Sequence, residues 1–328
     1  MGKPKVTVLL TQPTTDLVMT EAAWGRLRAL AELEVAVGSP EDWDLPRLLE
    51  GSVACLTGWG TPSLRRELLD QLPSLRLVAH TAGSIRLLVP AEVVGTRLLV
   101  SQAAAVIARS VAEMVVLQIL CSTRQLPALD RDVRAGQWRR SAGRLLGAQR
   151  VGVVGASRTG RAVVDLLHAF GAEILIYDPY LTDGGAEELQ VRRVPLDRLL
   201  TDSAIVTLHA PLLPQTQGMI GRAELALMAA GSVLINSARA GLIDYDALAA
   251  ELRSGRISAA LDVFPDEPLP LDSPWRSMPN VMVSPHDAGH TREGHYRQAL
   301  AMVGEIERYL RGDDLRYAVA ADGAAVLA

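Results

Sequence analysis

The sequence predicts an α/β fold built on a doubly wound parallel sheet. Three observations carry this. Short β-rich runs alternate with helical stretches, a strand-like run meets a glycine turn at VGVVGASRTGR (151–161), and six strand-like runs begin there. The chain has 328 residues, 49% apolar and 21% charged, which is long for one core, points to two domains and argues against widespread disorder.

Taken in order, VTVLL (6–10) reads as a strand, 21–33 as a helix, VACLT (53–57) as a strand, 62–70 as a helix and LRLVAH (75–80) as a strand. AVIARSVAEMVVLQILCSTRQL (105–126) holds no Gly or Pro and reads as one helix. It is apolar on more than one face, so it is expected to be buried between domains or in a subunit interface. The second series of strands is 150–154, 173–177, 204–208, 232–236, 258–263 and 280–284, with helices between most of them. EGHYRQALAMVGEIERYLRG (293–312) is a final long helix ending at Gly312, and the small, apolar tail 318–328 is expected to be loosely held.

The net charge is −4, and no Lys/Arg run is long enough for a nucleic-acid face. The short WRR cluster at 138–140 reads as solvated surface, and Lys3 and Lys5 are the only lysines. Cys55 and Cys121 have neither metal-type spacing nor the number for a disulfide framework, which fits a reducing compartment. The first apolar run ends at Thr11-Gln12-Pro13, too early for a signal-peptide core, and no apolar segment is read as reaching the roughly 20 residues that span a bilayer. The expectation is a cytoplasmic protein with no nucleic-acid and no membrane partner.

The glycine turn decides the ligand class. A helix N-terminus after a parallel strand offers unpaired N–H groups and partial positive charge to a pyrophosphate. Gly155 suits the tight turn and Gly160 the close helix–strand packing. Ser157 replaces the middle glycine of G-x-G-x-x-G and is small enough for backbone approach, with Arg158 beside it. The next strand ends at Asp178, 18 residues after Gly160, where an acid bonds ribose hydroxyls and repels the 2′-phosphate of NADP. Strand, turn, helix, strand and acid together indicate NAD.

The C-terminal half adds NSARAGLID, LDVFPDEP and SPHDAG, preceded by LHAPLLPQTQGMI (208–220), RSVAE (109–113) and VRAGQW (133–138). These resemble the D-isomer-specific 2-hydroxyacid dehydrogenase family, densely from about 103 to 295. The resemblance implies a Rossmann-type dinucleotide-binding domain at 102–289. It also implies a smaller, discontinuous flavodoxin-like substrate domain at 1–101 and 290–328, with the active site in the cleft between them, and a homodimer. It implies Arg239 as substrate-binding residue, Glu267 as acidic partner and His286 as catalytic acid/base. Thr159, His209, Ala210, Pro211, Thr216, Ala238, Asp262, Ala288 and Gly289 join the glycine-turn residues and His286 on the cofactor. Asp262 is expected against the nicotinamide amide, and Thr81, Ala82 and Gly83 on the substrate carboxylate.

The residue types suit the reaction. Oxidising a 2-hydroxy acid removes a hydride from C2 and a proton from the hydroxyl, and histidine both takes and returns a proton near neutral pH. A carboxylate on the other ring nitrogen orients such a ring. An Arg fork binds the carboxylate and carbonyl oxygens.

Each residue alone has a plainer reading: a surface arginine, a solvated loop acid, a structural histidine. His286, Asp287, His290 and His295 cluster, but Pro285 and Gly289 break a helical zinc pair and no H-E-x-x-H is present. His80, His168 and His209 read as local structural residues. The segment TAGSIRLLVP (81–90) keeps small residues but puts Arg86 and Leu87-Leu88-Val89 where the family has a polar turn, and 101–110 lacks the family's Pro-Gly and Asn. Both departures bear on the substrate. His80 and Arg86 are read as facing solvent, with a contact to an extra anionic group as the alternative. Two other functions remain open: an NAD-sensing corepressor of the same fold, and a formate- or phosphite-type dehydrogenase, against which Glu267 argues.

Overall fold

The computed structural model describes residues 2–320, so the last part of the expected loose tail, 321–328, lies outside the described residues. The chain forms two compact units, one of residues up to Ile107 with those from His290 on, the other Ala108–Gly289.

In the first unit, strands β1 (Lys5–Leu9), β2 (Glu32–Val35), β3 (Ala54–Thr57), β4 (Leu77–His80) and β5 (Leu99–Gln102) pair in the order β2-β1-β3-β4-β5, all parallel. That is the flavodoxin-like order. β1, β3 and β4 are almost wholly buried, as strands covered on both faces must be. The helix Arg292–Arg311 lays Ala299, Met302, Val303 and Ile306 on this sheet and ends at Gly312 with φ +77. β2 and β5 escape a reading by pattern: β2 follows its helix with only Ala31 between them and alternates charged with apolar residues, so its first residues merge with the expected 21–33 helix. The expected 62–70 helix begins only at Arg66.

The second unit holds β6 (Arg150–Val154), β7 (Glu173–Tyr177), β8 (Arg192–Arg193), β9 (Ile205–Leu208), β10 (Val233–Asn236), β11 (Ser258–Leu261) and β12 (Val281–Val283). They form one parallel sheet in the order β12-β11-β10-β9-β6-β7-β8, the doubly wound Rossmann arrangement with its switch point between β6 and β9. β8, two exposed arginines, carries no apolar signal and was not expected. β11 ends at Leu261, which leaves Asp262 and Val263 of the expected strand in the turn that follows.

Four expectations need correction. The 105–126 segment is not one helix: the first runs Ala104–Thr123, Gln125 turns left-handed at φ +54, and a second helix starts at Leu126 with Pro127 in its first turn. The first of these, 20 residues with mean hydropathy 1.8, is long and apolar enough to cross a membrane by length and composition. It places Ala112, Val115, Val116 and Ile119 in the second unit's core, as a core helix does. The described start of the tail is not loose, because Val319 is 5% exposed and its N–H donates to Val100 O at 2.7 Å.

His80, read as facing solvent, is buried at the end of β4, with Nδ1 2.9 Å from the Thr57 hydroxyl. Burial pulls its pKa down to about 4, against the Ser84 backbone, and pulls that of His209 in the second unit down to about 3. Both rings are neutral in the folded chain, whereas the unfolded chain takes up these protons near pH 6.5. Stability is therefore complete above pH 6.5 and falls as pH drops toward 4, by up to about 3 kcal/mol for each histidine. Urea denaturation at pH 7 and pH 4 is expected to show this loss, and His80→Gln to reduce it.

Candidate active site

Three neighbouring parallel strands deliver the predicted catalytic residues from the same edge of the second sheet. Asn236 ends β10 and folds the next turn: its amide donates to Arg239 O at 3.0 Å, and its Oδ1 accepts from Ala238 N at 3.1 Å. This turn presents the half-buried Arg239 guanidinium, which also donates to Ala238 O at 2.7 Å. β11 runs into Asp262 and then the turn bearing Glu267. β12 ends just before His286.

The structure brings Arg239, Glu267 and His286 onto one cavity of about 710 Å³, whose walls include Leu212, Ile243, Tyr245 and Phe264. His286 Nδ1 lies 2.7 Å from Glu267 Oε2, and Glu267 Oε1 accepts from Phe264 N at 2.9 Å, so each carboxylate oxygen has a partner. Partial burial pushes the Glu267 carboxyl up. The His286 bond, the Phe264 N–H and the charges of His286 and Arg239 outweigh it and hold the group below the usual carboxylate range. Burial pulls the Arg239 guanidinium down, against the opposing pull of Glu267.

His286 stands at φ +56, a region L residues avoid. Asp262, fully buried, holds it there. The Asp262 carbonyl accepts His286 N at 2.8 Å, Oδ1 accepts Asp287 N at 2.9 Å and the Ser284 hydroxyl, and Oδ2 accepts Ala288 N at 3.0 Å. The backbone of Ala288, expected on the cofactor, is thus part of the His286 turn, with Gly289 next in the chain.

At the other end of the sheet the glycine turn fits a dinucleotide. Gly155 has φ +100, and a Cβ there would lie 2.6 Å from Ala210 N; one on Gly160 would lie 2.1 Å from Gly155 O. Backbone therefore packs against backbone where a pyrophosphate needs close approach. Ser157 caps the helix Arg158–His168, its hydroxyl accepting from Gly160 N at 3.2 Å. The N–H groups of Arg158 and Thr159 are left at the helix end, the place that favours an anion. Asp178 closes the loop: Oδ2 accepts Ala156 N at 2.7 Å and Oδ1 accepts Tyr180 N at 2.8 Å. A carboxylate has lone pairs left over for ribose hydroxyls. His209 is a packing residue, buried beside the two glycines with Nε2 2.9 Å from the Thr207 hydroxyl. Thr216 folds the loop after Pro211, its hydroxyl accepting from Leu213 N at 2.8 Å and donating to Pro211 O.

In the first unit, Thr81 N donates to Thr57 O at 2.8 Å, while no acceptor for the N–H groups of Ala82, Gly83 and Ser84 occurs among the described residues. The departure at 81–90 is largely structural: Ile85, Leu88 and Val89 enter the unit's core, and only Arg86 and Leu87 are exposed. No cluster of three or more metal-ligating side chains occurs among the described residues.

Residues 116–288, more than half the chain, match the model of the "D-isomer specific 2-hydroxyacid dehydrogenase, NAD binding domain". The chain belongs to the D-isomer-specific 2-hydroxyacid dehydrogenase family. It carries that family's NAD-binding domain, and the turn just described fits NAD. The chain is 31% identical over 312 residues to a D-3-phosphoglycerate dehydrogenase of Methanocaldococcus jannaschii, covering 94% of this chain and 58% of that protein. It is 32% identical over 260 residues to a glyoxylate reductase of Korarchaeum cryptofilum, covering 77% and 78%. A crystal structure of a phosphoglycerate oxidoreductase from Rhizobium etli superposes with a TM-score of 0.82 at 27% identity, covering 96% of this chain and 97% of that one. The chain spans about half the length of the first curated relatives it matches.

Sequence reading missed Asn236, Tyr245 and Phe264. Tyr245 is mostly buried, donates to Val263 O, and burial pushes its pKa up. Only Asn236 had a signal, as a polar residue closing an apolar strand. Gly160→Ala drives a methyl into Gly155 O and is expected to cost about 1–3 kcal/mol. It should also weaken NADH binding at least tenfold, read by thermal melting and NADH fluorescence titration.

Proposed function

We propose that the protein is an NAD-dependent oxidoreductase that interconverts a D-2-hydroxy acid and its 2-oxo acid, with His286 as acid/base, Glu267 as its partner and Arg239 on the substrate. The observation that carries this is the 2.7 Å His286–Glu267 bond on a cavity that Arg239 also lines. The nicotinamide, when bound, supplies or accepts the hydride at the substrate's C2. With Nδ1 bonded to Glu267, His286 has Nε2 for the proton. It donates to the carbonyl oxygen in reduction and accepts from the hydroxyl in oxidation. Arg239 binds the carboxylate and carbonyl oxygens and stabilises charge as it develops on the latter. The free N–H groups at Ala82, Gly83 and Ser84, next to Thr81, suit a second carboxylate contact. Asp262 acts first through the His286 turn, where Oδ1 accepts two donors and Oδ2 one.

Relatives named D-3-phosphoglycerate dehydrogenase and glyoxylate reductase support this substrate class. We also infer a homodimer, because the helix Leu126–Arg134 buries none of its residues and Leu117, Leu126, Val133 and Trp138 are exposed. The two free cysteines suit a cytoplasmic setting.

NADH oxidation with glyoxylate, pyruvate, hydroxypyruvate, phenylpyruvate and 2-oxoisocaproate is expected to reveal turnover of at least one. His286→Ala should lower kcat by about 10²- to 10⁴-fold with NADH affinity kept; a fully active variant refutes the assignment. Asp262→Asn puts an amide N–H against the donors of the turn. It is expected to lower kcat about tenfold or more while the NADH Kd changes little, whereas a nicotinamide contact would move the Kd first.

A further inference from the structure

We propose that Tyr245 is a positioning residue: its hydroxyl ties the turn that carries Arg239 to the turn that carries Glu267, and so sets where guanidinium and imidazole stand relative to one another. This rests on the dehydrogenase reading above, and every residue concerned lies in the second unit, Ala108–Gly289. In that reading Arg239 and His286 address the same carbonyl oxygen, so their separation has to be fixed. They leave different strands. Register holds β10 to β11 only as far as Asn236 and Leu261, with one further bond from Asp262 N to Asn236 O at 2.9 Å. The two turns begin where that ladder stops.

The Tyr245 hydroxyl joins them. It donates to Val263 O and accepts from the Asn236 amide. That amide has two N–H groups, and it also donates to Arg239 O at 3.0 Å. Val263 O belongs to the same peptide group as Phe264 N, which donates to Glu267 Oε1 at 2.9 Å. The peptide is therefore gripped at both ends, its carbonyl by Tyr245 and its N–H by Glu267. Glu267 Oε2 lies 2.7 Å from His286 Nδ1. An unbroken series of bonds runs from the backbone of Arg239 to the ring of His286, with one hydroxyl at its centre. Bonds in such a series polarise one another, so losing a central member weakens those on either side.

The rest of Tyr245 keeps the hydroxyl in place. The residue opens the helix Tyr245–Arg253, which Asp244 caps by accepting Ala247 N at 3.0 Å, and Asp244 N donates to Ile220 O at 3.0 Å. The ring meets Trp275 edge-on at 5.3 Å and 82° and Phe264 at 6.5 Å and 65°. The hydroxyl has one proton and gives it to Val263 O. Burial pushes the phenol up; the Asn236 bond opposes this and the Glu267 charge adds to it, so the proton stays. Tyr245 lines the cavity with Arg239, Glu267 and His286, yet its bonding makes it a brace and not a proton donor to substrate.

The test is a pair of double-mutant cycles in the full chain, on a 2-oxo acid that the wild type reduces. Tyr245→Phe keeps the ring and removes the link. It is expected to lower kcat/KM about 10- to 100-fold, the scale of a small misplacement of reacting groups, with kcat falling and KM for the oxo acid rising together while the NADH Kd stays within about twofold. In Glu267→Gln and in Arg239→Lys, where one end of the link is already altered, the same change should cost about twofold or less, because coupled sites are not additive. Should Tyr245→Phe not fold, Asn236→Asp, which has the same shape but lacks the amide N–H groups, takes its place in both cycles. Unchanged kcat and KM, a rise in KM alone, or an effect that multiplies in full in either background overturns the proposal and leaves the dehydrogenase reading intact. A wild type that reduces none of the 2-oxo acids overturns that reading and this proposal with it.

Discussion

The acid/base role proposed for His286 requires its ring to point one way, and the chain bends the backbone there to φ +56. A left-handed conformation in a residue with a Cβ costs on the order of 1–3 kcal/mol and persists only where its surroundings over-determine it. Here they do. One buried aspartate, Asp262, takes three backbone N–H groups from His286, Asp287 and Ala288, and the Ser284 hydroxyl. A carboxylate in the interior needs several donors, and a strained turn needs several acceptors. Each satisfies the other, so neither is stable without its partner. Glu267 then fixes the ring itself, from a turn that begins on the same strand as Asp262. The position of the imidazole is thereby referred twice to the end of β11, the inner neighbour of β12.

The parallel sheet is what lets so few residues meet. Asn236 pairs in register with Leu261, and Leu261 with Val283, so β10, β11 and β12 end together, and Arg239, Glu267 and His286 leave the same edge. On the other side of the sheet Val154 pairs with Tyr177 and with Leu208, so the glycine turn, Asp178 and His209 emerge at the same level. The helix end at Ser157 and the carboxylate of Asp178 therefore share an edge with the acid/base pair. This is the carboxyl edge of a doubly wound sheet, where strand order reverses and ligands are held.

Most of this was legible because the chemistry lies at strand ends, and strand ends in an α/β chain are marked by apolar runs that stop. Gly155, Asp178, Arg239 and His286 each follow such a run directly or within a few residues. What was not legible had one of two physical causes. Elements set by pairing instead of burial, such as Arg192–Arg193 and Leu99–Gln102, carry too little apolar pattern to be seen. Residues acting by hydrogen bond inside the fold look ordinary in sequence: nothing in the sequence marks the hold of Asp262 on the His286 turn, and His80, which reads as solvated, is buried and bonded within the chain. The long apolar segment was misjudged because Gln125 turns the chain at a residue with no special propensity for it, with the proline signal following only at Pro127.

The loop 81–90 shows how a substitution pattern can mislead about the site while staying consistent with it. Its apolar residues looked like a change in the substrate's surroundings, but Leu88 and Val89 lie in the core, and Leu64 N donates to Leu88 O at 2.7 Å. What such a loop offers an anion is backbone, at Ala82, Gly83 and Ser84, and backbone N–H groups tolerate any side chain that leaves the turn unchanged. The side chains are therefore free to serve packing.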